Sequence, residues 1–160
     1  MRHLTPAFAL SALQRGKQIE QFLGAIEIDG RLGLRWIALS PGRAGITIYL
    51  SEVEDVGTDA FLDITEFPSL DPEDETWGRE IAVLPTPEEA LHLSERELAA
   101  DPQRWVNDGI VCDEYQDFRT GRGSSAHGTA DPGHLSRPGR RKSGGTPLGA
   151  PISAGPVTLG

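Results

Sequence analysis

The sequence predicts an α+β domain: an antiparallel meander sheet of about five strands with helices packed on one face, followed by a disordered C-terminal tail. Three observations carry this expectation. Several strand-like segments follow one another without the βαβ alternation of a parallel sheet. Two segments downstream open with strong helix-start signals, Thr86-Pro87-Glu88-Glu89 and Asp101-Pro102. Finally, all three Trp, both Tyr and all five Phe lie at or before Phe118. The remainder is rich in Gly, Pro and Ser, has no aromatic residue and too few large apolar groups to offset the entropy of ordering. Residues 1–118 are therefore read as an acidic α+β domain and 119–160 as a disordered basic tail.

Thr5-Pro6 is a plausible N-cap followed by proline at the first helical position. Phe8, Ala12, Ile19, Phe22 and Leu23 then recur at helical steps, with Gly16 a weak point and Gly24 the end of the pattern. AIEID and RLGLRWIALS flank Asp29-Gly30, a pair suited to the positive φ angles of a tight hairpin. The turn SPGRAG leads to ITIYLSEV, where Ile46, Ile48 and Leu50 point one way and Thr47, Tyr49 and Ser51 the other. AFLDITEF predicts a fourth strand with Ala60, Leu62 and Ile64 inward, and REIAVL a fifth with Ile81 and Val83 inward. The Thr86 helix has Leu91, Ser94 and Leu98 as its buried stripe, with Ala90 beside it. The Asp101 region carries Trp105, Val106, Val111, Tyr115 and Phe118, and is interrupted at Asn107-Asp108-Gly109.

Charge divides where composition does. Residues 1–118 carry 9 basic and 23 acidic side chains, a net −14, while the tail carries 6 basic and 1 acidic, a net +5. Such a body repels nucleic-acid phosphate and anionic membrane surfaces and suits a basic protein partner or plain solubility. No apolar run approaches the ~20 residues of a spanning helix. The apolar part of MRHLTPAFALSALQRG is broken by Ser11 and Gln14, against a signal peptide. With Cys112 as the only cysteine, no intramolecular disulfide can form, and a cytoplasmic location is expected.

The densest feature is SEVEDVGTDAFLDITEFPSLDPEDETWG, residues 51–78, with ten carboxylates and no Lys or Arg. An EF-hand starting at Asp71 fails: Thr76 stands where glycine is needed and Ala82 where the bidentate Glu belongs. Four scattered histidines without paired helical spacing offer no zinc site. There is no G-x-S-x-G, and the acidic neighbours of Cys112 disfavour its thiolate. SPGRAGIT lacks the Lys-Ser/Thr of a phosphate loop. RTGRG and RPGRRK in the tail have no aromatic residue to stack a base. No cofactor, metal ligand or catalytic residue is therefore assigned. Trp36 and Trp105 read as core. Trp77, beside Gly78 at the end of the acidic run, reads either as a ring closing the loop or as an anchor with an acidic rim.

At EVEDV, EFPSLDPEDE and RWVNDGIVCDEYQDF the chain resembles small acidic proteins of high-GC bacteria that carry no assigned function. The resemblance covers roughly residues 15–120 and brings no catalytic residues with it. Abundant Arg, Gly, Ala and Pro, with Lys17, Lys142 and Asn107 alone of their types, fit such a coding bias.

These readings predict a small acidic protein-binding module, in the manner of immunity proteins or inhibitors of basic toxins. Its contact residues would be Tyr49, Asp71, Glu73, Asp74, Glu75 and Trp77. Two other classes stay open: a small enzyme using Asp63, Glu66 or His92, and a housekeeping domain whose acidity serves solubility alone.

Overall fold

A computed structural model describes residues 1–73 and 78–121. The chain divides into two units, Met1–Gly128 and Thr129–Gly160, and all described residues lie in the first. Beyond Gly121 the expected tail falls outside the described residues, as do Asp74, Glu75 and Trp77.

Along the chain run α1 (Pro6–Gln14), β1 (Ile19–Ile28), β2 (Arg31–Gly42), β3 (Gly45–Glu54), a short 3-10 helix (Ile64–Glu66), β4 (Arg79–Leu84), α2 (Pro87–Glu97), β5 (Val106–Asn107) and α3 (Val111–Arg119). The strands form one open sheet in the order β4-β3-β2-β1-β5, with every pairing antiparallel. This is the α+β, five-stranded antiparallel architecture that the sequence predicts. Among the described residues no helix is long and apolar enough to cross a membrane.

The helices divide between the two faces, where packing on one was expected. Ile37 and Leu39 of β2 join Ile46, Ile48 and Leu50 of β3 in a core roofed by α1 and α2. Their alternate neighbours Leu34, Trp36 and Ala38 pack on the other face with Val111 and Tyr115 of α3 and with Ile64 and Phe67. Burial on both sides hides the period-two signal: Ile19, Glu20, Gln21 and Phe22 are all buried.

That concealment explains the first correction. Helical spacing through Phe22 and Leu23 is not realised, because α1 stops before Gly16, whose φ of +76° is left-handed. Ile19 to Leu23 belong instead to β1, which bulges between Phe22 and Gly24. Phe8, expected inward, is 63% exposed. At the next turn the expectation holds. Asp29 and Gly30 have φ of 51° and 74° and join β1 to β2 as a tight hairpin.

AFLDITEF is not a strand. Thr58 and Phe61 make an isolated bridge, and Ile64–Glu66 winds into the 3-10 helix. The Asp63 carboxylate accepts from the Thr65 amide at 3.1 Å and from the Thr65 hydroxyl, a local option that competes with a sheet ladder. Ile64 is buried, Leu62 half-buried and Ala60 exposed. In β4 a register shift opposite Ile48 and Tyr49 turns Ile81 and Leu84 to the core and leaves Val83 40% exposed, contrary to the simple alternation.

The Thr86 start is as expected. Glu89 donates its amide to Thr86 Oγ1 at 3.3 Å, the Thr86 hydroxyl donates to Glu89 Oε2 at 2.9 Å, and Ala90 and Ser94 are buried. The Asp101-Pro102 start, by contrast, opens no helix: the Asp101 carboxylate accepts from the Gln103 amide at 2.8 Å in a turn, and in this region only α3, from Val111, is a regular helix. Trp105 and Val106 are fully buried ahead of it, with Val106 opposite Glu20 in β5. The Asp101 backbone is held by Gln21, whose amide donates to its carbonyl at 2.9 Å and accepts from its N–H at 2.7 Å.

Candidate functional site

Among the described carboxylates of the acidic stretch two groups stand out, with Glu66 of the 3-10 helix between them. Those up to Asp63 are largely tied down by residues from elsewhere in the chain. Arg35 and Glu52 are cross-strand partners joined by a salt bridge, with Nε at 2.9 Å from Oε1. Arg31 meets Glu54 at 3.1 Å, and Arg119 lies 3.6 Å from the exposed Asp59. Asp55 accepts from the Tyr115 hydroxyl and from the Gly57 amide at 3.4 Å. Burial, then the neighbouring Asp55, pushes the Tyr115 phenol up to about 12. Asp63 caps the 3-10 helix, and the Thr65 hydroxyl bond is the largest influence holding its carboxyl below the usual range.

The second group leaves the sheet edge. Ser69 bridges to Val53, the Leu70 amide donates to the Glu52 carbonyl at 2.8 Å, and Arg79 opens β4 opposite Leu50. Residues 68–70 and 79–84 thus lie along the same outer edge of β3, and Asp71 to Glu73 follow the first of these segments. Two glycines make this seating tight. A Cβ on Gly33 would lie 2.3 Å from the Leu70 side chain, and one on Gly78, at φ +89°, would lie 2.4 Å from Ser51 Oγ. Asp71 accepts from the Glu73 amide at 3.0 Å, a turn bond. Among the described residues neither Asp71 nor Glu73 has a cationic partner.

Tyr49 lies opposite the start of β4. It is half-exposed on β3, opposite Glu80 and Ala38, on the face away from α1 and α2. Of the predicted contact residues, Asp71 and Glu73 follow the outer edge of β3, whereas Tyr49 lies on β3 between β2 and β4. Asp74, Glu75 and Trp77 lie outside the described residues.

The residues weighed for an enzyme are not gathered. Asp63 and Glu66 belong to the 3-10 helix region beside α3, whereas exposed His92 is on α2 at the opposite face. Among the described residues no three His, Cys, Asp or Glu side chains gather to hold a metal. Cys112 is half-buried and its Sγ lies 3.4 Å from Asp63. Burial first, then Asp63, pushes the thiol up to about 11.

Two buried carboxylates escaped the sequence reading. Glu20, 3% exposed on β1, accepts from the Gly109 amide at 3.0 Å. The Gln18 amide donates both to Glu20 at 3.2 Å and to Asp108 at 2.8 Å. Burial, then the adjacent Asp108, pushes the Glu20 carboxyl up to about 7. Glu114, on α3, accepts from Arg2 at 2.9 Å, His3 at 3.1 Å and Arg104 at 3.0 Å. Burial works to raise its carboxyl, but these bonds together hold it below the ordinary value. Neither cluster is local in sequence. The Asn107-Asp108-Gly109 turn was the one available signal for the first, and nothing pointed to the second. Compared with known protein families, curated proteins and solved structures, the chain matched none.

Proposed function

We propose that this protein is a small acidic protein-binding module, of the immunity or inhibitor type, for a basic partner. Asp71, Glu73, Asp74 and Glu75 supply the attracting charge, and Tyr49 and Trp77 supply the anchors. The observation that carries this reading is the division of the acids. Glu52, Glu54, Asp55 and Asp63 are engaged by other side chains of the domain, while Asp71 and Glu73, just past the Leu70 bond to β3, have no cationic partner among the described residues. Unpaired surface carboxylates accelerate encounter with a cationic surface, and a few aromatic contacts hold the complex once it forms. The single cysteine supports a cytoplasmic setting, and the body's acidity disfavours nucleic acid as the partner.

The test starts from the basic protein recovered by affinity capture on the full chain. Replacing Asp71, Glu73, Asp74 and Glu75 by their amides is expected to leave the unfolding midpoint unchanged or slightly raised. It should also slow association and flatten its salt dependence. Trp77→Ala should instead raise the dissociation rate. Association kinetics indifferent to the amide variant at low salt would remove the acidic edge from the interface.

A further inference from the structure

Helices cover the two faces of the sheet unequally. α1 and α2 roof one face across β2, β3 and β4. On the other, α3 lies on β1 and against the 3-10 helix. The half formed by β3 and β4 there has no helix over it among the described residues. Cross-strand register sets Val83, Thr47 and Ser40 in one row and Glu80, Tyr49 and Ala38 in the next. Thr47, Ser40 and Tyr49 are half-exposed and Val83 is 40% exposed, whereas Ile46, Ile48 and Leu50 on the covered face are buried.

The uncovered strip has the dimensions of one helix. Adjacent strands are ~4.8 Å apart, so β3 with β4 and the near side of β2 span about 10 Å. Packed helices stand about 8–10 Å from their neighbours, so a guest helix would fit beside α3 without displacing it. The strip is mildly apolar at its centre and acidic at its outer rim, where Glu80 is exposed and the chain bearing Asp71 and Glu73 departs. A second copy of this chain would set these same acids against each other, so charge complementarity selects a cationic guest.

We propose that the open strip centred on Thr47, Tyr49 and Val83 seats one basic amphipathic helix of the partner protein. This rests on the binding-module reading and adds the guest's form and seat. The helix lays its apolar side on Val83, Thr47 and Tyr49 and turns Lys or Arg toward Glu80 and the acidic edge, completing the second roof of the sheet.

The experiment titrates the full-length, isotopically labelled protein with three synthetic peptides and follows backbone amide shifts. The first is an amphipathic helix with a Leu/Ala face and a Lys face. The second has the same composition in an order with no apolar face. The third is the first with Glu in place of Lys. Only the first is expected to shift Thr47, Tyr49 and Val83 saturably, and Val83→Gln should weaken it by about tenfold or more. Val83 is already exposed on an edge strand, so this variant should keep the parent's unfolding midpoint. Shifts from both basic peptides confined to Glu73 and its neighbours would overturn the helix seat and leave the binding module standing. No response to either basic peptide would count against both. Equal binding of the acidic peptide, or self-association abolished by Val83→Gln, would replace the basic helix with an uncharged guest or a second copy.

Discussion

Replacing Glu20 by Gln is expected to stabilise the domain at neutral pH, although it alters a buried, fully hydrogen-bonded residue. The native Glu20 carboxyl titrates at about 7, whereas its ordinary value is 4.5. Between those values the unfolded chain has released this proton and the folded chain retains it. Stability therefore falls as pH rises from about 4.5 to about 7 and levels off above, because the folded state binds more protons throughout that window. One pKa unit corresponds to about 1.36 kcal/mol, so the loss is on the order of 2–3 kcal/mol, since Asp108 shares the titration. Gln mimics the protonated acid: its oxygen can still accept from Gly109 and its amide can donate to Asp108. Urea unfolding of both proteins from pH 5 to pH 8 measures the difference. The two should be nearly equal at pH 5, with the variant ahead by about 2 kcal/mol at pH 8. A constant difference across that range, or a wild-type advantage at pH 8, would refute the argument.

Four further outcomes follow from the geometry. Thr86→Ala removes the side-chain acceptor of the Glu89 amide and should cost about 0.5–2 kcal/mol in thermal or urea unfolding. Gly57→Ala would place a Cβ 1.9 Å from the Tyr115 hydroxyl, so it should destabilise by about 1–3 kcal/mol, with partial recovery in the Gly57→Ala, Tyr115→Phe double variant. The Cys112 thiol, pushed up to about 11, should react with a disulfide reagent far more slowly at pH 8 than it does after unfolding, and Asp63→Asn should raise the native rate. Glu114→Gln should reduce protection of the Leu4 amide, which donates to the Trp105 carbonyl, in hydrogen exchange, because Arg2, His3 and Arg104 lose their shared anion.

Local chemistry was legible at the hairpin and at the capping box, where one short segment decides the outcome, but not at Asp101-Pro102, where the same kind of signal makes a turn. The Asp29-Gly30 hairpin needs positive φ at adjacent residues, and the Thr86 capping box satisfies helix amides within one turn; each is written in a few neighbouring letters. The alternation of Ile46, Ile48 and Leu50 survives because one side of β3 is roofed and the other partly open. The same logic failed for Ile19–Phe22, whose two faces are both covered, and for AFLDITEF, where Asp63 and Thr65 bond locally instead of pairing in a ladder.

Composition alone also determined the abundance of acid between residues 51 and 78, but not which acids remain available. That depends on Arg31, Arg35, Tyr115 and Arg119, which arrive from β2 and α3 through pairings 17 or more residues apart in sequence. Tertiary structure likewise set Glu20 beside Asp108 and Glu114 against Arg2, His3 and Arg104. Charge and hydrogen-bond energies depend on distance and burial in space, whereas a sequence records only order along the chain.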